Sequence, residues 1–268
     1  MRDNPVKQKL QQGKAVFGTM AFEFFVPGLP QMVKAAGAEF LLFDMEHSGL
    51  GYETLKDLIA ACRGIGLVPM VRVPSAQYQF IARALDIGAM GIMVPMVASA
   101  EEAEFIVSCT RYPPQGRRGA AFGFAHDDYE GGDVAEKMRL ANERTIVMPL
   151  IETKEGIEDI DRIAAVPGVD VLWLGHFDLT NFLGIPAQFK HAKYVKAIDR
   201  LCAAAGKHGK VLACMTGSPE WSREYWEKGF RLFAAGIDGH LLQSALRHSL
   251  GTLHELDSAK SKRTGRKR

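Results

Sequence analysis

Val68-Pro69-Met70-Val71-Arg72-Val73, an amphipathic stretch over residues 77–87, Gly88, and then Gly91-Ile92-Met93-Val94-Pro95-Met96 together decide the fold. Both apolar runs are continuous rather than alternating, which suits parallel strands buried on both faces. The stretch between them is long enough to carry a helix back to the start of the next strand, and Gly88 falls where a left-handed helix cap is wanted. The segment therefore reads as one β-α-β unit.

Outward from it the pattern repeats. Further apolar runs cover residues 16–22, 40–46, 145–152, 169–175, 211–216 and 230–237, making eight in all. Helical stretches are expected over 52–65, 99–109, 154–166 and 191–208. The first of these puts Leu55, Leu58, Ile59 and Cys62 on one side. Ser99 stands three residues before Glu102, as in a capping box. Gly37, Gly66 and Gly209 follow helices as Gly88 does. Eight such units without a break in composition predict an α/β fold, a closed (β/α)8 (TIM) barrel, as one domain over residues 1–255. Residues 256–268 form a basic tail, expected to be solvated and frayed.

The 268 residues carry a net charge of only +2, part of it in that tail, so neither nucleic acid nor a membrane is expected as a partner. Cys62, Cys109, Cys202 and Cys214 lack metal-site spacing and read as small reduced hydrophobes. The polar start lacks the apolar run of a signal peptide, and no stretch nears the roughly 20 apolar residues of a membrane span. A cytoplasmic location is the expectation.

Barrel enzymes work at the C-terminal ends of their strands, so ionisable residues there carry the functional reading. The second run ends in Asp44, Glu46 and His47, the third carries Arg72, the fifth ends at Glu152, and the sixth leads through Gly175, His176 and Phe177 to Asp178. Glu152 and Asp178 offer two hard oxygen ligands and leave positions open, which suits a divalent cation. Asp178 also reads as a simple helix cap. His47 is a candidate base, or a plain rim histidine; Asp86 is a possible partner for it. Arg72 on a buried strand needs an anion, from substrate or from Asp44 or Glu46. His176 could touch substrate, His126 reads as solvated, and Phe122 and Phe124 read as loop packing. No lysine sits at a strand end, Lys154 being the nearest, so a Schiff base has a poor nucleophile. The long connection over residues 111–142 is expected at the catalytic face, covering the substrate.

At Phe43-Asp44-Met45-Glu46-His47, Val71-Arg72-Val73-Pro74, Leu85-Asp86-Ile87-Gly88-Ala89, Val94-Pro95-Met96-Val97, Thr110-Arg111-Tyr112-Pro113-Pro114-Gln115-Gly116, Ile151-Glu152-Thr153 and Gly175-His176-Phe177-Asp178-Leu179, the chain resembles the HpcH/HpaI aldolases. These are class II pyruvate aldolases of the phosphoenolpyruvate/pyruvate-binding barrel type. The resemblance runs from about residue 7 to 250. It implies a divalent metal (Mg²⁺, Mn²⁺ or Co²⁺) on Glu152 and Asp178, His47 and Asp86 as an acid/base dyad, and Arg72 stabilising an enolate. Backbone around Gly175, His176 and Phe177 would hold the pyruvate carboxylate. It implies a hexamer whose C-terminal helix is exchanged between neighbours, acting on a 2-keto acid and an aldehyde. One departure stands out: the family often has Gly-Pro-x-Asp-Leu where this chain has His176 after Gly175. Oxaloacetate decarboxylation, a CoA-ester lyase reaction and a non-catalytic metabolite-binding barrel remain alternatives.

Overall fold

Eight parallel strands close into a barrel in chain order: β1 (Val16–Ala21), β2 (Phe40–Asp44), β3 (Val68–Arg72), β4 (Gly91–Val94), β5 (Ile146–Ile151), β6 (Val171–Leu174), β7 (Val211–Met215) and β8 (Leu232–Ile237), with β8 back beside β1. The computed structural model describes residues 1–265, with side chains through Asp257. The helices are α1 (Pro5–Gln11), α2 (Leu29–Ala35), α3 (Tyr52–Arg63), α4 (Tyr78–Asp86), α5 (Ala100–Thr110), α6 (Val134–Arg144), α7 (Lys154–Glu158), α8 (Ile160–Ala165), α9 (His176–Phe182), α10 (Ala192–His208), α11 (Pro219–Glu227) and α12 (Asp238–Gly265).

Strand parity divides the core in two. Leu41, Phe43, Val71, Ile92, Val147 and Leu172 face outward against the helices. Their neighbours Phe40, Leu42, Val68, Met70, Met148, Leu150, Val171 and Trp173 fill the barrel interior. A side chain two residues beyond an interior one points the same way. Asp44, Arg72, Glu152 and Gly175 thus continue the interior rows and form their uppermost layer. Val6 and Leu10 of α1 pack into the interior cluster and close the opposite end.

Local chemistry sets the element ends. Gly37, Gly66, Gly88 and Gly209 all have positive φ, as expected of left-handed caps. The Ser99 hydroxyl accepts from the Glu102 amide at 3.2 Å, whereas the Glu102 carboxylate takes the Ala98 amide, one residue earlier than in a capping box. The helix expected over 154–166 is two short ones. Asp159 stands between them, and its carboxylate accepts the Ala100 amide at 2.8 Å. Helix α12 continues through the start of the segment expected as a frayed tail, as far as Gly265; residues 266–268 and the basic side chains from Lys260 onward lie outside the described residues.

The long 111–142 connection is at the other end of the barrel from the one expected. It follows α5, and α5 has already returned the chain from the end of β4 to the strand N-termini. There Phe122 packs 5.6 Å from Tyr112 and from His126, while Phe124 is exposed. His126 is buried rather than solvated, and burial pushes its pKa down to about 4.

Candidate active site

Asp44 and Arg72 are register partners on β2 and β3, so both aim inward at one level. The Arg72 Nε donates to Asp44 Oδ1 at 2.5 Å, and its Nη1 lies 3.1 Å from Glu46 Oε2. Its Nη2 is buried without a hydrogen-bond partner among the described residues. Asp44 therefore holds the guanidinium through a hydrogen bond and Glu46 by charge, and Nη2 is left without a protein partner. The Phe22 ring lies over the guanidinium, 5.2 Å from centroid to Cζ. Asp44 also accepts the amides of Glu46 and His47, fixing the turn that lifts His47 to the rim. The His47 side chain is about half exposed, with Nε2 3.6 Å from Glu46 Oε2.

Glu152 and Gly175 are neighbours for a similar reason: Ile151 and Leu174 are in register, and the Gly175 amide donates to the Ile151 carbonyl at 3.1 Å. Glu152 is 3% exposed. Its Oε1 accepts the amide of Met96, which adopts the left-handed backbone conformation (φ 59°) that turns this N–H toward it. Burial, above all, lifts the Glu152 carboxyl to about 7, against the Met96 hydrogen bond and with help from the Glu46 and Asp178 charges. Burial likewise raises Glu46, opposed by Arg72. A side chain at Gly175 would put its Cβ 2.6 Å from the Glu152 Cβ and closer still to its carboxylate.

Asp178 sits half-buried in the first turn of α9. Among the described residues no three His, Cys, Asp or Glu side chains converge on one metal position. What the site does offer is a buried excess of carboxylate charge around Glu152, Asp178 and Glu46, facing a single arginine. A divalent cation held by two carboxylates, with its other positions open, fits that donor set and would relieve the charge.

These groups surround a cavity of about 330 Å³, with Met93, Leu150, Trp173, His176, Met215 and Ile237 making much of its wall. Phe22 and His240 of its lining were not among the site residues read from the sequence. Phe22 lies two positions past Met20, on the same interior row, so parity alone could have found it. His240 belongs to α12, beyond any strand end, and carried no such signal. The loop bearing Phe22 is seated by Asp238, whose carboxylate accepts the amides of Phe22, Glu23 and Phe24 at 3.1, 3.1 and 2.8 Å.

Two expectations do not match the geometry of one chain. Asp86 is the last residue of α4, at the strand N-termini, where its carboxylate accepts from Arg118 Nη2 at 2.7 Å; a helix that follows β3 must end there. His176 is buried, with both ring nitrogens engaged by protein groups, so it is no free hydrogen-bonding partner for substrate. Burial holds its pKa down at about 4, which keeps the ring neutral. Lys154 is exposed beside Glu158, and Lys210 donates to Val166 and Val169 carbonyls at the far end, so neither can act as a Schiff-base nucleophile in the cavity.

The sequence profile of HpcH/HpaI aldolase/citrate lyase matches residues 23–245. A 5-keto-4-deoxy-D-glucarate aldolase of Escherichia coli K12 is 34% identical over 215 residues, covering 80% of this chain and 83% of that one. The crystal structure of an HpcH/HpaI aldolase from Desulfitobacterium hafniense DCB-2 superposes with a TM-score of 0.89 at 31% identity, over 93% of this chain and 96% of the other. That of the citrate synthase SbnG gives a TM-score of 0.85 at 31% identity, over 94% and 98%.

Proposed function

The chain belongs to the HpcH/HpaI aldolase/citrate lyase family, and from that premise we propose that it cleaves 4-hydroxy-2-keto acids reversibly into pyruvate and an aldehyde, as a class II aldolase. The observation that carries this reading is a single cavity lined by Arg72, whose Nη2 has no hydrogen-bond partner among the described residues, together with His47, Glu152 and Asp178.

Glu152 and Asp178 would hold the divalent ion, which, when bound, supplies Lewis-acid withdrawal of electrons from the 2-keto acid. His47 takes the 4-hydroxyl proton. The C3–C4 bond then breaks, the aldehyde leaves, and the electron pair flows toward the C2 oxygen. Arg72, held by Asp44 and Glu46, aims its remaining N–H at the charge that develops there. Backbone around Gly175, His176 and Phe177 seats the carboxylate. The Trp173, Met93 and Leu150 walls keep water from the enolate until C3 takes the proton that His47 carries, which gives pyruvate and restores the base.

The same reading gives assembly a role. Leu246, Leu250, Leu253 and Leu256 of α12 are exposed, and an apolar groove of about 600 Å³ lies beside β1 and α2, lined by Phe17, Met32, Val33 and Leu41 and, from the root of α12, by Leu241 and Leu242. A neighbour's α12 in that groove would cover both surfaces, as in the hexamer that the family resemblance implies. Asp86, remote from His47 in its own chain, would then reach a neighbour's His47. Among the described residues no helix is long and apolar enough to cross a membrane. The free cysteines accord with a cytoplasmic enzyme acting on small molecules.

The test is pyruvate release from a panel of 4-hydroxy-2-keto acids, before and after EDTA. Pyruvate that appears only with Mg²⁺, Mn²⁺ or Co²⁺ is expected. Full activity after thorough chelation sinks the metal, and a silent panel sinks the aldolase. The likeness to a citrate synthase adds oxaloacetate to the panel, since the same enolate chemistry would serve its decarboxylation.

A further inference from the structure

His176 occupies the position where the family pattern often has proline, and it lies in the cavity wall between Gly175 and Phe177. Its Nε2 is 3.1 Å from the Met215 carbonyl oxygen at the end of β7. A carbonyl only accepts, so this nitrogen carries the proton. In the neutral ring Nδ1 is then a lone pair, and the Tyr194 hydroxyl donates to it at 2.6 Å. Tyr194 oxygen in turn accepts from the Tyr225 hydroxyl at 2.8 Å, which also comes within 3.4 Å of Nδ1. A single directed chain of hydrogen bonds thus runs from α11 through α10 and α9 to β7. The Trp221 and Tyr225 rings pack against the imidazole at centroid distances of 4.8 and 4.9 Å. Proline could supply none of these bonds.

We infer that His176 is a positioning residue: it ties the Gly175–Asp178 turn to the end of β7 and so fixes where Asp178 stands relative to Glu152. Both nitrogens are used internally, so its effect on chemistry passes through that turn rather than through contact with substrate. The inference rests on the reading of Glu152 and Asp178 as the metal-holding pair. Losing a group that orients a metal ligand typically costs about 10–100-fold in metal affinity.

The experiment compares His176→Phe, which keeps the ring volume and removes both hydrogen bonds, with His176→Gln, which keeps an amide donor for the Met215 carbonyl. Tyr194→Phe leaves the His176–Met215 bond, removing the Nδ1 donor and the acceptor of the Tyr225 hydroxyl. Two quantities are read on the full chain: Mn²⁺ affinity of the metal-stripped protein by titration calorimetry, and KM and kcat for pyruvate release. His176→Phe should weaken Mn²⁺ binding about tenfold and raise KM more than it lowers kcat, with His176→Gln recovering most of both. Tyr194→Phe, which keeps the tie to β7, should give a smaller loss of the same kind, and His176→Leu, which also removes both hydrogen bonds, decides the matter if His176→Phe does not fold. Parental Mn²⁺ affinity and KM in His176→Phe, or in His176→Leu should that variant have to stand in for it, would overturn the inference. So would His176→Gln as impaired as His176→Phe. An unsubstituted protein that releases no pyruvate overturns the aldolase reading instead and leaves the Mn²⁺ comparison to judge this one.

Discussion

His47 and Asp86 stand at opposite ends of the same barrel, the first just past the C-terminal end of β2 and the second closing α4 beside Arg118. If the two work together, two chains are needed. His47→Ala and Asp86→Asn should each be nearly inactive, yet oligomers re-formed from a mixture should regain up to about a quarter of parental activity, because only sites drawing His47 and Asp86 from the intact halves are complete. Mixtures no more active than the separate variants would show that Asp86 does not complete a neighbour's site.

Arg72 meets two carboxylates and keeps one nitrogen free, a geometry that a lysine ammonium cannot copy. Arg72→Lys retains the positive charge beside buried Asp44. It should nevertheless lower kcat/KM for pyruvate release by about a hundredfold, the usual effect of losing one aimed donor at a developing oxyanion. A loss under threefold would remove Arg72 from that role.

Gly175 has an ordinary φ of −95°, so its need for glycine is crowding and not backbone conformation. Gly175→Ala must push Glu152 aside. The expected result is a thermal destabilisation of about 1–3 kcal/mol together with weaker Mn²⁺ binding. Thermal melts and a metal titration of the same variant check both halves. Unchanged values would mean that Glu152 is less confined than its contacts indicate.

Glu152 should make metal binding pH-dependent. In the metal-free folded chain its carboxyl titrates near 7, against 4.5 for an ordinary glutamate, chiefly through burial. The folded state therefore holds a proton that the unfolded chain has lost, and the contribution of this group to stability falls as pH rises from 4.5 to 7. Mn²⁺ binding should expel most of one proton at pH 6 and almost none at pH 8. Calorimetry in two buffers of different ionisation enthalpy reads this number directly, and Glu152→Gln should abolish the difference.

Much of this was legible in the residues themselves. Continuous apolar runs revealed the buried parallel strands, and glycines such as Gly88 and Gly209 marked the helix ends. Counting by twos from Phe40 to Asp44, from Val68 to Arg72 and from Met148 to Glu152 places those side chains in one interior layer before any coordinates are seen. The misplaced 111–142 connection was also decidable, because a helix already lies between β4 and Arg111 and returns the chain to the far end. By contrast, the bonds of His176 were not legible. Tyr194, Met215 and Tyr225 come from three different elements, and nothing in their spacing joins them.

Asp238 ends the barrel and begins a 28-residue helix, which at 1.5 Å per residue is a rod about 40 Å long. The root of that rod is the side chain that grips the loop carrying Phe22 over Arg72. In the proposed oligomer, torque applied to the far leucines by a neighbouring subunit would be delivered to the lip of the pocket. Quaternary structure and substrate grip would then share one mechanical degree of freedom. On dilution, such an enzyme would first lose its hold on substrate, while the barrel itself was still intact.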